Sequence, residues 1–177
     1  MTGPVLVLVG PMGVGKSTVG AILAERLGVT CRDTDQDVAE RAGKSVSDIF
    51  LEEGEPHFRE LERAAVATAL SEHRGVLALG GGAVLAEETR ALLAGRPVVF
   101  LEMGLTEAVK RVGLDAPRPL LVINPRQQWR RLMEERRPLY TEVASVVVST
   151  EERTPDQVAD EILTALQLPS TQPEKPQ

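Results

Sequence analysis

The feature that most constrains this chain is a glycine-rich loop, Gly10–Ser17, that lies between two patterned segments. The apolar run Val5–Val9 precedes the loop, and an amphipathic helical pattern follows it. The loop matches G-x-x-x-x-G-K-[ST] in the strand-loop-helix context that this phosphate-binding motif requires. Gly10, Gly13 and Gly15 are expected to adopt positive φ, which lets backbone N–H groups approach an anion closely.

The last two residues of the loop supply the charge and the hydroxyl that a bound nucleotide needs. Lys16 is expected to reach the β- and γ-phosphates, and the Ser17 hydroxyl is expected to ligate Mg²⁺. The N-terminus of the following helix adds a positive dipole end. The sequence therefore predicts a protein that binds a nucleoside triphosphate, with Mg²⁺ as the accompanying ion.

Composition narrows the class of protein. The chain has 177 residues, 42% of them hydrophobic, and a net charge of −6. This length predicts a single domain over residues 1–168, and the acidic balance argues against a nucleic-acid partner. The chain contains no apolar run of membrane-spanning length and no basic segment before Val5–Val9, so we expect neither a membrane segment nor a signal peptide. The single cysteine, Cys31, suits a cytoplasmic protein and is expected to be a small buried residue.

Strand and helix patterns alternate along the chain. They predict a doubly wound α/β fold with a five-stranded parallel sheet, whose ligands lie at the carboxyl ends of the strands. The Pro-containing stretch at about 113–125 is interpreted as a mobile lid, and 169–177 as a disordered tail. Strands are expected at Val5–Val9, Val29–Arg32, Val76–Leu79, Val98–Leu101 and Ser145–Val148; helices at Lys16–Leu27, Gln36–Ala42, Ser47–Glu53 (with Ser47 as N-cap), Glu55–His73, Glu87–Leu93, Thr106–Val112, Arg126–Arg137 and Pro155–Leu166.

The carboxyl edge of the predicted sheet collects further polar features. Asp33 and Asp35 follow the second strand, and two residues this far apart in extended backbone project from the same face. One carboxylate could serve the metal and the other an acceptor hydroxyl. Gly80–Gly82 follow the third strand and would let a small ligand rest on bare backbone. Arginine pairs would match a substrate carboxylate, because the guanidinium fork binds it in bidentate fashion.

Missing motifs exclude the larger classes of phosphate-loop protein. A switch GTPase needs D-x-x-G after a strand and a separate N-K-x-D, and the chain has neither. A motor ATPase would be much larger. A small kinase acting on a metabolite or nucleotide remains, which must orient an acceptor hydroxyl and neutralise the migrating phosphoryl group.

The chain resembles the shikimate kinase family, and the resemblance covers about residues 4–166. It rests on G-P-M-G-V-G-K-S-T at Gly10–Thr18, D-T-D at Asp33–Asp35, G-E-x-x-F-R-x-x-E at Gly54–Glu62, L-G-G-G at Leu79–Gly82, R-P-L-L at Arg118–Leu121 and R-x-P-L-Y at Arg136–Tyr140. The resemblance implies a nucleoside monophosphate kinase-like fold of three layers. It also implies transfer of the γ-phosphate of ATP to the 3-hydroxyl of shikimate, giving shikimate 3-phosphate and ADP on the route to chorismate and the aromatic amino acids.

The resemblance also implies roles for individual residues. Lys16, Asp35 and Arg118 would be catalytic, and Ser17 and Asp33 would hold the metal. The nucleotide would contact Gly13, Val14, Gly15, Lys16, Ser17 and Thr18, with Arg111 and Arg153 flanking the adenine. Shikimate would contact Asp35, Arg59, Gly80, Gly81, Gly82 and Arg136, with Phe50 and Phe58 as the apolar wall, and Glu62 would hold Arg59 in place. A monomer is expected.

Two alternatives stay open at this point. The first is another kinase on the same fold, such as a gluconate or nucleotide kinase. The second is a nucleotide-responsive binding protein without acceptor chemistry. The arginine pair and the D-T-D segment weigh against the first, and the set of Lys16, Asp35 and Arg118 weighs against the second.

Overall fold

The computed structural model describes residues 3–113 and 125–169, and a five-stranded parallel sheet forms its centre. The spatial order of the strands is β2-β3-β1-β4-β5. The strands are β1 (Leu6–Val9), β2 (Cys31–Asp33), β3 (Val76–Ala78), β4 (Val98–Glu102) and β5 (Val146–Ser149). The helices are α1 (Lys16–Leu27), α2 (Thr34–Ala42), α3 (Val46–Glu53), α4 (Glu55–Glu72), α5 (Glu87–Leu93), α6 (Leu105–Gly113), α7 (Pro125–Val143) and α8 (Pro155–Ala165), with a 3₁₀ turn at Ala83–Leu85.

Strand β1 lies at the centre of the sheet because it is apolar along its whole length. All four of its residues are buried, and it pairs in parallel with β3 on one side and with β4 on the other. Helices cover the sheet: α1 packs against α8, and α5 contacts both α4 and α7. The predicted fold class, a parallel five-stranded sheet flanked by helices, is therefore confirmed. Its carboxyl edge carries the phosphate loop after β1 and the glycine turn Gly80–Gly82 after β3.

Helix α7 is longer than predicted. The sequence pattern placed its end at Arg137, yet the helix continues through Pro138, which removes a helical hydrogen bond, to Val143. Five buried side chains lie along one face of α7 at spacings of four and three residues, namely Trp129, Met133, Arg136, Tyr140 and Val143. This continuous packed stripe stabilises the last turn of the helix against the local effect of proline.

Two further local predictions were wrong. Ser45, not Ser47, is the N-cap of α3, since its hydroxyl accepts a hydrogen bond from the Asp48 backbone N–H at 3.1 Å. Cys31 is exposed rather than buried, because β2 is an edge strand of the sheet and is less completely covered than β1.

Three expectations fall wholly or mainly outside the described residues. The predicted lid at about 113–125 lies there except for its first and last residues, and the predicted tail at 169–177 except for residue 169. Arg118 lies within the undescribed part of the lid. Among the helices of the described ranges, none combines the length and the apolar character needed to cross a bilayer.

Candidate active site

The phosphate loop has the backbone that its sequence predicted. Gly10, Gly13 and Gly15 have φ values of 149°, 81° and 100°. A Cβ at Gly10 would lie 2.5 Å from the Leu101 carbonyl oxygen, so only glycine fits between β1 and the end of β4. Gly15 is the N-cap of α1 in the left-handed conformation, where an L side chain would be strained. The loop therefore presents the N-terminus of α1 to the carboxyl edge of the sheet.

Lys16 folds back over the loop in this structure. Its Nζ donates hydrogen bonds to the carbonyl oxygens of Gly10 at 2.7 Å and Pro11 at 3.0 Å. These carbonyl oxygens are neutral acceptors, whereas the oxygens of a phosphate bound at this loop would be charged acceptors and stronger partners for Lys16. The lysine is thus held beside the site where a nucleotide tail would be cradled.

Ser17 and Asp33 lie together at the start of α1 and the end of β2. The Ser17 hydroxyl donates to Asp33 Oδ2 at 3.1 Å, while Asp33 Oδ1 accepts from the Asp35 backbone N–H at 2.8 Å and caps α2. Hydroxyl and carboxylate oxygens are the donors that Mg²⁺ prefers, so this pair fits that ion. Within the described ranges there is no cluster of three or more His, Cys, Asp or Glu side chains that would form a complete protein cage.

The geometric argument for the D-T-D segment was wrong. The segment is not extended throughout, because Asp33 ends β2 and Asp35 lies in the first turn of α2. The two carboxylates are therefore presented from a strand end and a helix start, and Asp33 serves as the N-cap. Asp35 still lies at the carboxyl edge of the sheet, because its Oδ1 is 2.5 Å from the position of a Cβ at Gly80 in the glycine turn.

The glycine turn is the meeting point of the predicted substrate residues. A Cβ at Gly80 would lie 2.5 Å from Asp35 Oδ1, and a Cβ at Gly81 would lie 3.7 Å from an Arg136 terminal nitrogen. A Cβ at Gly82 would lie 2.4 Å from both terminal nitrogens of Arg59. Glu62 Oε2 would lie 3.0 Å from the same Cβ at Gly80, so the turn brings two carboxylates and two guanidinium groups, from α2, α4 and α7, against three consecutive glycines.

Arg59 is held in place from several directions. One of its terminal nitrogens donates to Glu62 Oε1 at 2.8 Å, and its Nε lies 3.4 Å from Glu55 Oε1. The guanidinium carbon lies 5.2 Å from the Phe58 ring centroid and 6.0 Å from that of Phe50, and the two rings are 4.6 Å apart. The predicted apolar wall and the predicted arginine therefore form one contiguous surface.

Glu62 is buried beneath Arg59, which excludes a simple surface ion pair between the two. Only 3% of the residue is exposed. Burial raises the pKa of the Glu62 carboxyl, the neighbouring Arg59 opposes this rise, and the negative charge of Asp35 adds to it. Arg136 also lowers this pKa, so the Glu62 carboxylate interacts with two arginines and one aspartate.

Arg136 is a buried cation with an unsatisfied donor. Only 5% of the residue is exposed, and its Nε has no hydrogen-bond partner among the described residues. A buried polar group without a partner is costly, so its presence requires a reason such as a catalytic role, an ordered water or a bound ion. A terminal nitrogen of the same guanidinium lies 3.7 Å from the position of a Cβ at Gly81, where a small anion would meet it.

Two buried hydroxyl groups at the glycine turn were not assigned a role from the sequence. Thr34, the middle residue of D-T-D, accepts a hydrogen bond from the Gly80 backbone N–H at 3.2 Å. Tyr140 donates one to the Gly81 carbonyl oxygen. The Gly80 amide is therefore already used by the protein, so Gly81 and Gly82 are the better candidates for ligand contact. Both partners are distant in sequence, so no local pattern signalled these contacts.

The residues expected around the adenine are only partly visible. Arg153 lies between β5 and α8, where it forms an ion pair with Glu161 and donates to the Ser149 carbonyl oxygen at 3.4 Å. Arg111 belongs to the last turn of α6, and its side chain lies outside the described part of the chain. The adenine contacts stay predictions.

Comparison with known proteins shows the family of the chain. A family model described as shikimate kinase matches residues 12–167. The shikimate kinases of Streptomyces avermitilis and Streptomyces coelicolor are 64% and 61% identical to the chain, and each alignment covers 95% of this chain and 98% of the relative. The solved structure of the shikimate kinase from Acinetobacter baumannii in complex with shikimate matches with a TM-score of 0.88 at 38% identity, covering 94% of each chain. The chain belongs to the shikimate kinase family.

Proposed function

We propose that this protein transfers the γ-phosphoryl group of ATP to the 3-hydroxyl of shikimate, giving shikimate 3-phosphate and ADP. The observation that carries the proposal is the buried Arg136 guanidinium, whose Nε has no partner among the described residues and whose terminal nitrogen lies beside Gly81. Such a group is suited to a substrate carboxylate, because the guanidinium fork matches the two carboxylate oxygens.

Substrate binding follows from the three contacts at the glycine turn. Arg136 and Arg59 would hold the carboxylate, and the cyclic body of shikimate would lie on Gly81 and Gly82. Phe50 and Phe58 would form the apolar wall beside Arg59. Asp35, at the opposite end of the turn, would then face the hydroxyl groups of the ring.

Asp35 is proposed as the residue that orients the attacking hydroxyl and accepts its proton. Its carboxylate lies against Gly80, on the side of the site where the D-T-D segment approaches the phosphate loop through the Ser17–Asp33 contact. Holding the acceptor in line with the γ-phosphate supplies much of the rate enhancement in phosphoryl transfer.

The nucleotide would occupy the phosphate loop at Gly13–Thr18. Lys16 would exchange its two carbonyl acceptors for phosphate oxygens, which are charged and therefore stronger partners. Arg118 is proposed to add positive charge to the migrating phosphoryl group, and Arg111 and Arg153 to flank the adenine.

Ser17 and Asp33 are proposed as the residues that hold Mg²⁺, Ser17 directly and Asp33 through water. An ion held there would neutralise charge on the phosphates of the nucleotide. The existing hydrogen bond from Ser17 to Asp33 keeps both oxygens at the entrance of the phosphate loop.

A coupled assay of ADP release tests the proposal. The protein is incubated with ATP, Mg²⁺ and one of three acceptors: shikimate, gluconate or AMP. ADP release with shikimate, and none with gluconate or AMP, supports the proposal. Turnover with gluconate or AMP instead would support another kinase on the same fold, and nucleotide binding without turnover of any acceptor would support a binding protein.

Further expectations concern the whole protein. We propose that it is a single-domain monomer and acts in the cytoplasm, with a small molecule rather than a nucleic acid or a membrane as its partner. Light scattering coupled to gel filtration tests the oligomeric state, since a dimer would have a measured mass of twice 19.1 kDa.

A further inference from the structure

Tyr140 connects two parts of the site that bind the substrate in the proposed function. The residue is fully buried on α7, one helical turn after Arg136, so both side chains lie on the same face of the helix. Its hydroxyl donates a hydrogen bond to the Gly81 carbonyl oxygen, and a terminal nitrogen of Arg136 lies 3.7 Å from the position of a Cβ at the same Gly81.

The direction of this hydrogen bond is fixed by chemistry. A carbonyl oxygen can only accept, so the single hydroxyl proton of Tyr140 must go to Gly81. The hydroxyl therefore ties α7, the helix that carries Arg136, to the backbone of the glycine turn.

The hydroxyl keeps its proton under ordinary conditions. Burial raises the pKa of Tyr140 above its ordinary value of 10.0, with Arg136 opposing the rise. The donor to Gly81 is consequently present at any pH at which the enzyme would be assayed.

We propose that Tyr140 is a positioning residue for the substrate carboxylate. Through its hydroxyl it holds Gly81 against the helix that carries Arg136, so that the guanidinium and the backbone floor meet the carboxylate in one geometry. This inference rests on the proposed function. It differs from a packing role, which belongs to the Tyr140 ring, since that ring lies 4.9 Å from the ring of Phe100 in β4.

The substitution Tyr140→Phe separates the two roles because it keeps the ring and removes only the hydroxyl. It leaves the Gly81 carbonyl oxygen without its partner in a buried place. We expect the KM for shikimate and its Kd by calorimetry to rise about ten-fold, since a buried carbonyl oxygen that positions the glycine turn is left unsatisfied. The KM for ATP should stay within two-fold, and kcat should change less than the shikimate KM.

Phe100→Leu is the matched control for packing. It removes the partner ring without touching the hydroxyl, so it should lower the Tm and leave the shikimate KM unchanged. If Phe100→Leu raised that KM as much as Tyr140→Phe does, packing alone would explain the effect and the proposal would be overturned.

The double variant with Arg136→Lys tests whether Tyr140 acts through the arginine. When Arg136 is already replaced, adding Tyr140→Phe should raise the shikimate KM less than two-fold further; a full ten-fold additional rise would contradict the proposed coupling. An unchanged shikimate KM in Tyr140→Phe alone would also refute it. Failure of the proposed function appears separately, as wild-type protein that does not turn over shikimate.

Discussion

Replacing Gly82 by alanine tests whether the glycine turn sets the position of the substrate arginine. The added Cβ would lie 2.4 Å from both terminal nitrogens of Arg59. Gly82 has φ −101° and ψ 4°, which alanine tolerates, so the effect of the substitution is steric and does not come from backbone strain. The neighbour that must move is the guanidinium.

The displacement can be estimated from ordinary contact distances. Carbon and nitrogen atoms without a bond approach to roughly 3.5 Å, so Arg59 must shift by about 1 Å. Its 2.8 Å hydrogen bond to the buried Glu62 would then exceed bonding distance. A hydrogen bond between charged groups contributes about 1.5–3 kcal/mol, and loss of the arginine position would reduce shikimate binding by about 10- to 100-fold.

The assay is steady-state kinetics of Gly82→Ala with shikimate and ATP varied separately. We expect the shikimate KM to rise by that factor and the ATP KM to stay near the wild-type value. Gly104→Ala is the matched control, because its Cβ would also meet a charged side chain, Glu151 Oε1 at 2.7 Å, but an exposed one that can move away. A shikimate KM for Gly82→Ala within two-fold of wild type would refute the reasoning.

Three further substitutions address single groups of the site. Asp35→Asn should reduce kcat about 10²- to 10⁴-fold with nearly unchanged ATP affinity, as measured by nucleotide titration, and equal loss of both would contradict its role. Arg136→Lys should mainly raise the shikimate KM, because an ammonium cannot reproduce the guanidinium fork, and an unaltered KM would count against it. The pKa of Glu62 is raised in the folded state, so the folded protein keeps this proton to a higher pH than the unfolded chain does. The free energy of unfolding of the wild type, relative to that of Glu62→Gln, should therefore fall as pH rises from about 4.5 towards neutrality. Urea unfolding of both proteins across this range measures the difference in stability. A wild type that becomes more stable relative to Glu62→Gln as pH rises would contradict the reasoning.

The sequence predicted those parts of the fold that depend on local patterns. Helix α1 (Lys16–Leu27) and helix α5 (Glu87–Leu93) have the predicted bounds. In α1 the limits come from the glycine on each side, since Gly15 and Gly28 both adopt left-handed backbone next to a helix. The apolar β1 and the phosphate loop were equally clear, because motif, strand and helix follow one another directly.

Two details that depend on tertiary contacts could not be predicted from local patterns. The last turn of α7 depends on the packing of Tyr140 and Val143 against the rest of the core, whereas the local signal of Pro138 predicts a helix end. The exposure of Cys31 depends on the edge position of β2, which is set by the order of the strands and not by its own residues. In both cases tertiary contacts outweighed a local preference.

The same distinction explains which part of the site the sequence left unexplained. Charged groups such as Asp35, Arg59 and Arg136 stand out in a sequence because burying them requires a reason. A buried hydroxyl such as that of Thr34 or Tyr140 does not stand out, since it resembles an ordinary core residue until its partner is known. Yet these hydroxyls bond the two backbone groups, the Gly80 N–H and the Gly81 carbonyl, that fix the turn on which the charged groups converge. The position of the glycine turn therefore depends on neutral contacts that the charged residues of the site do not reveal.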